Sequence, residues 1–307
     1  MRLLFYGGYG WIGGMLVELA KEGGHEIRFG QARLEDFHLV VREIGAVNPD
    51  RVICTAGVTG TPNVDWCEDH RNITILGNVT GPLNLAAICH FKQVHLTVFG
   101  SGCVYSNYKD GKLVEKKTFT ETDPSNFTKS FYSKTKAYAQ DLLTSYDNVL
   151  LFRLRMPVSA DLHPKSLLTK LIGYKEVVNV ANSISILPDL LPIALDLTVK
   201  GKTGVFNLVN PGPVTHSQIL HLYQHSLDPT HTFTTVDLAD HDARLVRVER
   251  SACILSCQKL TQLYPVPRTL QSLCQILNQI RASRQPVPLI IESKEPVLPV
   301  VESKEAE

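Results

Sequence analysis

Tyr132 and Lys136 stand four positions apart in a stretch with helical patterning, so their side chains fall on one helix face. A ketone that receives a hydride needs a proton on its oxygen. A tyrosine hydroxyl can supply one, and an adjacent ammonium is expected to lower its pKa toward working pH. Ser101, about thirty residues earlier, follows the apolar run Leu96 to Gly100. From there its hydroxyl can hydrogen-bond the same carbonyl oxygen. A hydride source is suggested at the other end of the chain, where Gly7, Gly10 and Gly13 form G-x-x-G-x-x-G between an apolar run and an amphipathic stretch. Glycine at these places permits a tight turn and close approach of backbone to a pyrophosphate, which the following helix N-terminus can bind.

These groups must be held by a scaffold. The first half alternates apolar strands with amphipathic helices, which predicts a parallel sheet covered on both faces. Strands are expected at Arg2 to Tyr6, Glu26 to Phe29, Arg51 to Thr55, His95 to Phe99, Val149 to Leu154 and Val205 to Leu208. Helices are expected at Trp11 to Glu22, Leu34 to Ile44, Asn72 to Cys89, Ser130 to Ser145, Ser217 to His225 and Leu270 to Arg281, with Gly77, Gly81 and Pro82 making the third irregular. The expected class is α/β, a Rossmann doubly wound parallel sheet with a smaller, mixed C-terminal substrate-binding part. Residues 1–157 form the dinucleotide-binding domain, with 205–225 returning to it, and 158–282 mainly bind substrate. Residues 283–307, rich in Pro, Glu, Lys and Val, carry an imperfect repeat (IIESKE, VVESKE) and read as a disordered tail.

Composition narrows the function classes. With 307 residues, 44% hydrophobic and 20% charged, the chain reads as an ordinary globular enzyme. A net charge of +1 provides no field to recruit nucleic acid or a membrane surface, so an anionic ligand needs a local site. No apolar run is long enough to span a bilayer, and the opening MRLLFYGGYGWIGG leaves no room for a signal peptide, which implies a cytoplasmic protein. The seven cysteines read as reduced thiols. Cys253 and Cys257, on an expected helix edge, have no second ligand pair, and no metal site is predicted. After the second strand comes Gly30-Gln31-Ala32-Arg33, with no carboxylate for ribose hydroxyls and one guanidinium for an extra phosphate. This favours NADP(H) over NAD. Further cofactor contacts are expected from Trp11, Ile12, Ala56, Gly57 and Met156.

The loop, Ser101 and Y-x-x-x-K together resemble the short-chain dehydrogenases/reductases. Longer stretches resemble one extended branch, the plant-type nucleotide-rhamnose synthase/epimerase-reductase: YGGYGWIGG (6–14), AGVTGTPNVDWCE (56–68), GSGCVY (100–105), NFTKSFYSKTKA (126–137), RLRMPVSADL (153–162) and FNLVNPGPVTHSQIL (206–220). The similarity runs from about residue 2 to about residue 280. It implies 3,5-epimerisation and 4-reduction of UDP- or dTDP-4-keto-6-deoxyglucose to the nucleotide-linked L-rhamnose, with the keto sugar supplied by a separate 4,6-dehydratase. It further implies Cys103 and Lys170 as the epimerisation pair, with Lys165 and Lys175 open as alternatives to Lys170. A ketone acidifies the C–H bonds beside it, and inversion needs a base on one face and an acid on the other. A thiolate serves as such a base when cations lie nearby.

The resemblance also implies substrate contacts from Thr59, Asn63, Asp65, Trp66, Asn182 and Asn207 and a proton-relay role for Asn78, while the fold class alone suggests a homodimer through the helices near 72–89 and 130–145. The sequence departs from the family pattern at Ser101, where threonine is usual, and at Tyr105-Ser106-Asn107, where Phe-Glu-Tyr is usual. A monofunctional 4-ketoreductase would use the same Ser101, Tyr132 and Lys136 without needing Cys103. A non-catalytic NADP-binding subunit would need neither Tyr132 nor Lys136.

Overall fold

The computed structural model describes residues 1–61, 63–114, 118–240 and 247–284. Six parallel strands form the central sheet: β1 (Arg2–Tyr6), β2 (Glu26–Phe29), β3 (Arg51–Cys54), β4 (His95–Ser101), β5 (Val149–Leu154) and β6 (Gly204–Leu208), in the spatial order β6-β5-β4-β3-β1-β2. The order reverses at β1/β3, which opens a crevice beyond the carboxyl ends of the strands. Every residue of β5 is buried, the pattern of a strand covered on both faces.

Helices α1 (Trp11–Glu22) and α5 (Leu187–Val199) bury Leu16, Leu190 and Ala194 against Phe5 and Phe152 on one face. On the other face α2 (Phe37–Val47), α3 (Gly81–Phe91) and α4 (Phe131–Leu143) bury Val40, Leu85 and Leu143 against Leu4 and Leu96. A separate core joins α6 (His216–Ser226) and α7 (Thr269–Arg284) to the segments after β5 through Leu168, Ile186, Leu220 and Leu277. The chain is thus α/β with a Rossmann-type sheet. Among the described residues no helix is long and apolar enough to cross a membrane.

Some boundaries differ from the sequence reading for identifiable reasons. Helix α2 starts at Phe37 because Asp36 caps it, accepting the Leu39 N–H at 3.0 Å. The helix expected over 72–89 follows a separate helical turn, Trp66–Asp69, and is broken into Arg71–Ile75, a wide π turn at Leu76–Thr80, and α3. That turn aims Asn78 at Val58, whose N–H and carbonyl it binds at 2.9 and 2.8 Å. Cys257 is at a helix edge, as the N-cap of the short helix Gln258–Thr261, but Cys253 is not. They flank the two-residue strand Ile254–Leu255, which pairs with Thr118–Phe119. The tail expected from Ser283 lies outside the described residues from 285 onward, and α7 runs through Ser283.

Candidate active site

The dinucleotide loop follows β1. Gly7 has φ +84°, and a Cβ on Gly13 would lie 2.2 Å from the Gly7 carbonyl oxygen, so glycine at both positions lets α1 start tight against the loop. The cradle suits a pyrophosphate approached by backbone, and it opens on a cavity of about 1120 Å³. Gly7, Gly10, Trp11, Ile12, Gly13, Ala56, Gly57 and Met156 all line that cavity. Trp11 also ties the loop to the second part of the molecule: its Nε1 donates to Asp161 Oδ2 at 2.7 Å, and its ring stacks on His163 at 4.8 Å.

Ser101, at the end of β4, lines the same cavity, as do Tyr132 and Lys136 on α4. Ser130 caps α4 by accepting the Ser133 N–H at 3.1 Å, which fixes the first turn and hence Tyr132. The Ser101 hydroxyl faces the Tyr132 phenol. Burial, reinforced by the facing Cys103 and only partly offset by Ser101, pushes the Tyr132 phenol above its ordinary value. Burial pushes the Lys136 ammonium down. The expected lowering of Tyr132 by Lys136 is therefore not what the geometry produces: Lys136 Nζ lies 6.0 Å from the ring centroid, and desolvation wins. A phenol kept protonated is nonetheless suited to give a proton to a ketone oxygen.

After Ser101 the chain makes one 3₁₀ turn, Gly102–Val104, and the Cys103 N–H donates to Ser101 Oγ at 3.1 Å. Cys103 is half-buried and lines the cavity. So does Lys170, carried by the short helix Leu167–Ile172 and half-buried, and burial together with the charge of Lys165 pushes its ammonium down. Lys165 and Lys175 line the cavity as well, both exposed.

A model of the NAD dependent epimerase/dehydratase family matches residues 3–173. The chain belongs to that family. It is 42% identical over 265 residues to the bifunctional dTDP-4-dehydrorhamnose 3,5-epimerase/dTDP-4-dehydrorhamnose reductase of Arabidopsis thaliana, covering 86% of this chain and 88% of that one. A trifunctional UDP-glucose 4,6-dehydratase/epimerase/reductase of the same plant is 39% identical over 269 residues, and the matched region is 40% of its length. The crystal structure of the L780 UDP-rhamnose synthase of Acanthamoeba polyphaga mimivirus has a TM-score of 0.85 at 33% identity, over 91% of this chain and 99% of that one.

In this epimerase/dehydratase chain the remaining expected site residues divide. Thr59, Asn63 and Asn182 line the cavity. Asp65 and Trp66 lie next to it: Arg250 grips the Asp65 carboxylate with two N–H bonds of 2.8 Å, and Trp66 stacks on His70 at 3.7 Å. Asn207 is fully buried away from the cavity, where its amide donates to the carbonyls of Phe119 and Ser256. Arg33 does not line the cavity either. Its side chain is 79% exposed and pairs with Glu35 at 2.6 Å. The departing residues Tyr105 and Asn107 turn inward, Tyr105 donating to the Asp123 carbonyl and Asn107 Oδ1 accepting the Ile254 N–H.

Two residues escaped the sequence reading. A carboxylate does stand at the end of β2: Glu43, from α2, accepts the N–H groups of Gln31 (2.6 Å) and Ala32 (3.2 Å) and the Tyr6 hydroxyl (2.7 Å). The other is Arg155, one residue past β5, whose Nη1 donates to Cys103 Sγ at 2.8 Å. Its signal was present in the stretch LLFRLRMP, where two arginines alternate along a strand otherwise made for a core. Among the described residues no group of three or more His, Cys, Asp or Glu is placed to hold a metal ion.

Proposed function

We propose that this chain is a bifunctional enzyme that converts UDP- or dTDP-4-keto-6-deoxyglucose to the nucleotide-linked L-rhamnose, by 3,5-epimerisation followed by reduction of the 4-ketone. The carrying observation is that one cavity is lined both by Ser101, Tyr132 and Lys136 and by Cys103 and Lys170. A monofunctional reductase has no use for the second pair, and relatives that carry both activities in their names support the fuller reading.

In the epimerising steps the Cys103 thiolate removes a proton from a carbon beside the ketone. The C–H bond breaks, an S–H bond forms, and the electron pair moves onto the ketone oxygen as an enolate. The Lys170 ammonium then delivers a proton to the other face, closing a new C–H bond, and solvent resets thiol and amine. Ser101 and Tyr132 hydrogen-bond the enolate oxygen, where the charge develops. In the reducing step bound NADPH supplies the hydride, and Tyr132 gives its phenolic proton to the oxygen. Lys136 compensates the phenolate left behind.

We assign the dinucleotide as NADP(H) because Arg33 is an exposed guanidinium at the end of β2, free to turn from Glu35 to a phosphate. A separate 4,6-dehydratase supplies the keto sugar. Homodimerisation through α3 and α4 belongs to the same reading, and light scattering that gave the mass of one chain would remove it.

The test is incubation with UDP-4-keto-6-deoxyglucose and NADPH in heavy water, with the product read by NMR. Deuterium at both carbons flanking the former ketone, in the L-rhamno configuration, is the expected result. NADPH consumption without deuterium uptake would leave a simple reductase.

A further inference from the structure

We propose that Arg155 is the positioning residue of the epimerisation: its guanidinium, fixed 2.8 Å from Cys103 Sγ, aims that sulfur into the cavity and is the counter-ion for the negative charge it carries when it takes the substrate proton. The inference rests on the proton-transfer role given to Cys103 above. Arg155 is only 2% exposed. A cation that deep requires a compensating anion or a full set of acceptors. Among the described residues its hydrogen-bond acceptors are Cys103 Sγ at 2.8 Å, Asn182 Oδ1 at 2.7 Å and the Ser251 carbonyl, none of them a carboxylate. Its Nε is buried without an acceptor. Arg155 itself lines the cavity, and the ionisable groups of the chain that face it are Cys103, Cys253 and Tyr132. Burial holds the Cys253 thiol and the Tyr132 phenol in their neutral forms, and the Cys253 sulfur faces the Gly102 carbonyl at 3.4 Å. That leaves Cys103, the one of the two facing thiols that is not fully enclosed.

The guanidinium is also prevented from turning elsewhere. Asn182, which orients Nη2, is itself fixed by the Cys253 N–H on its Oδ1 at 3.0 Å and by a two-way backbone bridge with Val214. The Arg155 backbone is pinned to Ser185, whose hydroxyl accepts the Arg155 N–H at 2.9 Å and whose N–H donates back at 2.7 Å. Cys103 is thereby held from two sides, its N–H on Ser101 and its sulfur on Arg155. One ketone position can then be served by the proton acceptor and by the reductase hydroxyls without rearrangement.

The experiment compares wild type, Arg155→Met, Arg155→Lys and Cys103→Ser by three readouts: deuterium exchange into UDP-4-keto-6-deoxyglucose without NADPH, NADPH oxidation by UDP-4-keto-L-rhamnose, and iodoacetamide alkylation from pH 6 to pH 10. Cys103→Ser serves as the alkylation blank for the other thiols. In Arg155→Met we expect exchange to fall roughly a hundredfold and alkylation at pH 7 to slow about tenfold, with its profile displaced to higher pH. Reduction should fall far less than exchange. Arg155→Lys, which keeps the charge, should recover part of the alkylation rate.

A folded Arg155→Met protein with wild-type exchange and alkylation would overturn the proposal. So would equal losses in both half-reactions at unchanged alkylation, because that pattern marks a merely structural role. Should Arg155→Met fail to fold, Arg155→Lys and Asn182→Ala decide on the same readouts, since Asn182→Ala frees the guanidinium while keeping its charge. Cys103→Ser retaining full exchange would sink the proton-transfer reading and this proposal with it. Loss of exchange in Cys103→Ser, with none in Arg155→Met, would sink this proposal alone.

Discussion

The two sets of side chains proposed for the two chemistries are built differently. Ser101, Tyr132 and Lys136 sit on β4 and α4, regular elements buried in the sheet domain, and a single helical turn sets the spacing of the last two. Cys103 and Lys170 sit on a three-residue 3₁₀ turn and a six-residue helix. Elements that short cannot fix a side chain by their own hydrogen bonds, and Cys103 is held by a long-range clamp, Arg155 Nη1 on its sulfur. On the roles proposed above, the reducing chemistry rests on local structure, whereas the epimerising chemistry rests on tertiary contacts. The two should therefore come apart under mutation.

The largest separation is expected from Tyr132→Phe. Reduction should fall about a thousandfold with loss of the general acid, while deuterium exchange into the keto sugar falls much less. Equal losses in stopped-flow NADPH oxidation and NMR exchange would merge the two sets into one machine.

The same contrast should appear in pH profiles. In its proposed role Lys170 must be protonated to return a proton, and its ammonium is pushed below the ordinary lysine value by burial and Lys165. Tyr132 must also be protonated, but its phenol is pushed above the ordinary tyrosine value by burial and Cys103. An acid is lost as pH rises through its folded-state pKa. Exchange should therefore decline on the alkaline side before reduction does, and the opposite order would assign the epimerisation acid to another group.

A smaller effect sharpens the cofactor side. Arg33→Ala should weaken NADPH binding about tenfold, read by nucleotide fluorescence, and leave NADH nearly unchanged. Equal weakening of both would return Arg33 to a surface pair with Glu35. The smallest effect is expected at the base of the second part of the molecule, where Thr215 and Gln218 form a capping box at the start of α6. Thr215→Ala should cost about 1 kcal/mol of stability in a denaturant melt and change neither half-reaction.

Residues 2–6, 11–22 and 51–54 form elements at the places their apolar periodicity predicts, and the dinucleotide loop lies between the first two. These are short-range matters: strand alternation, a glycine turn and an i, i+4 pair are fixed by backbone sterics within a few residues. The misreadings concern longer reach. Asn207 was a substrate contact only by resemblance, yet it satisfies the carbonyls of Phe119 and Ser256, one of them 88 residues away. The absence of a carboxylate after β2 was true of the sequence and untrue in space, because α2 folds back to place Glu43 on Gln31 and Ala32.

The sequence by itself determined the sheet-and-helix frame, the cofactor loop and the Tyr132–Lys136 pair, because each is encoded within one or two turns of chain. Only the tertiary structure decided that Arg155 meets Cys103 across 52 residues, and that Asn182 and Ser251 hold it there. A buried charge is tolerated only where packing brings acceptors from several segments to one point, and no local pattern records that meeting.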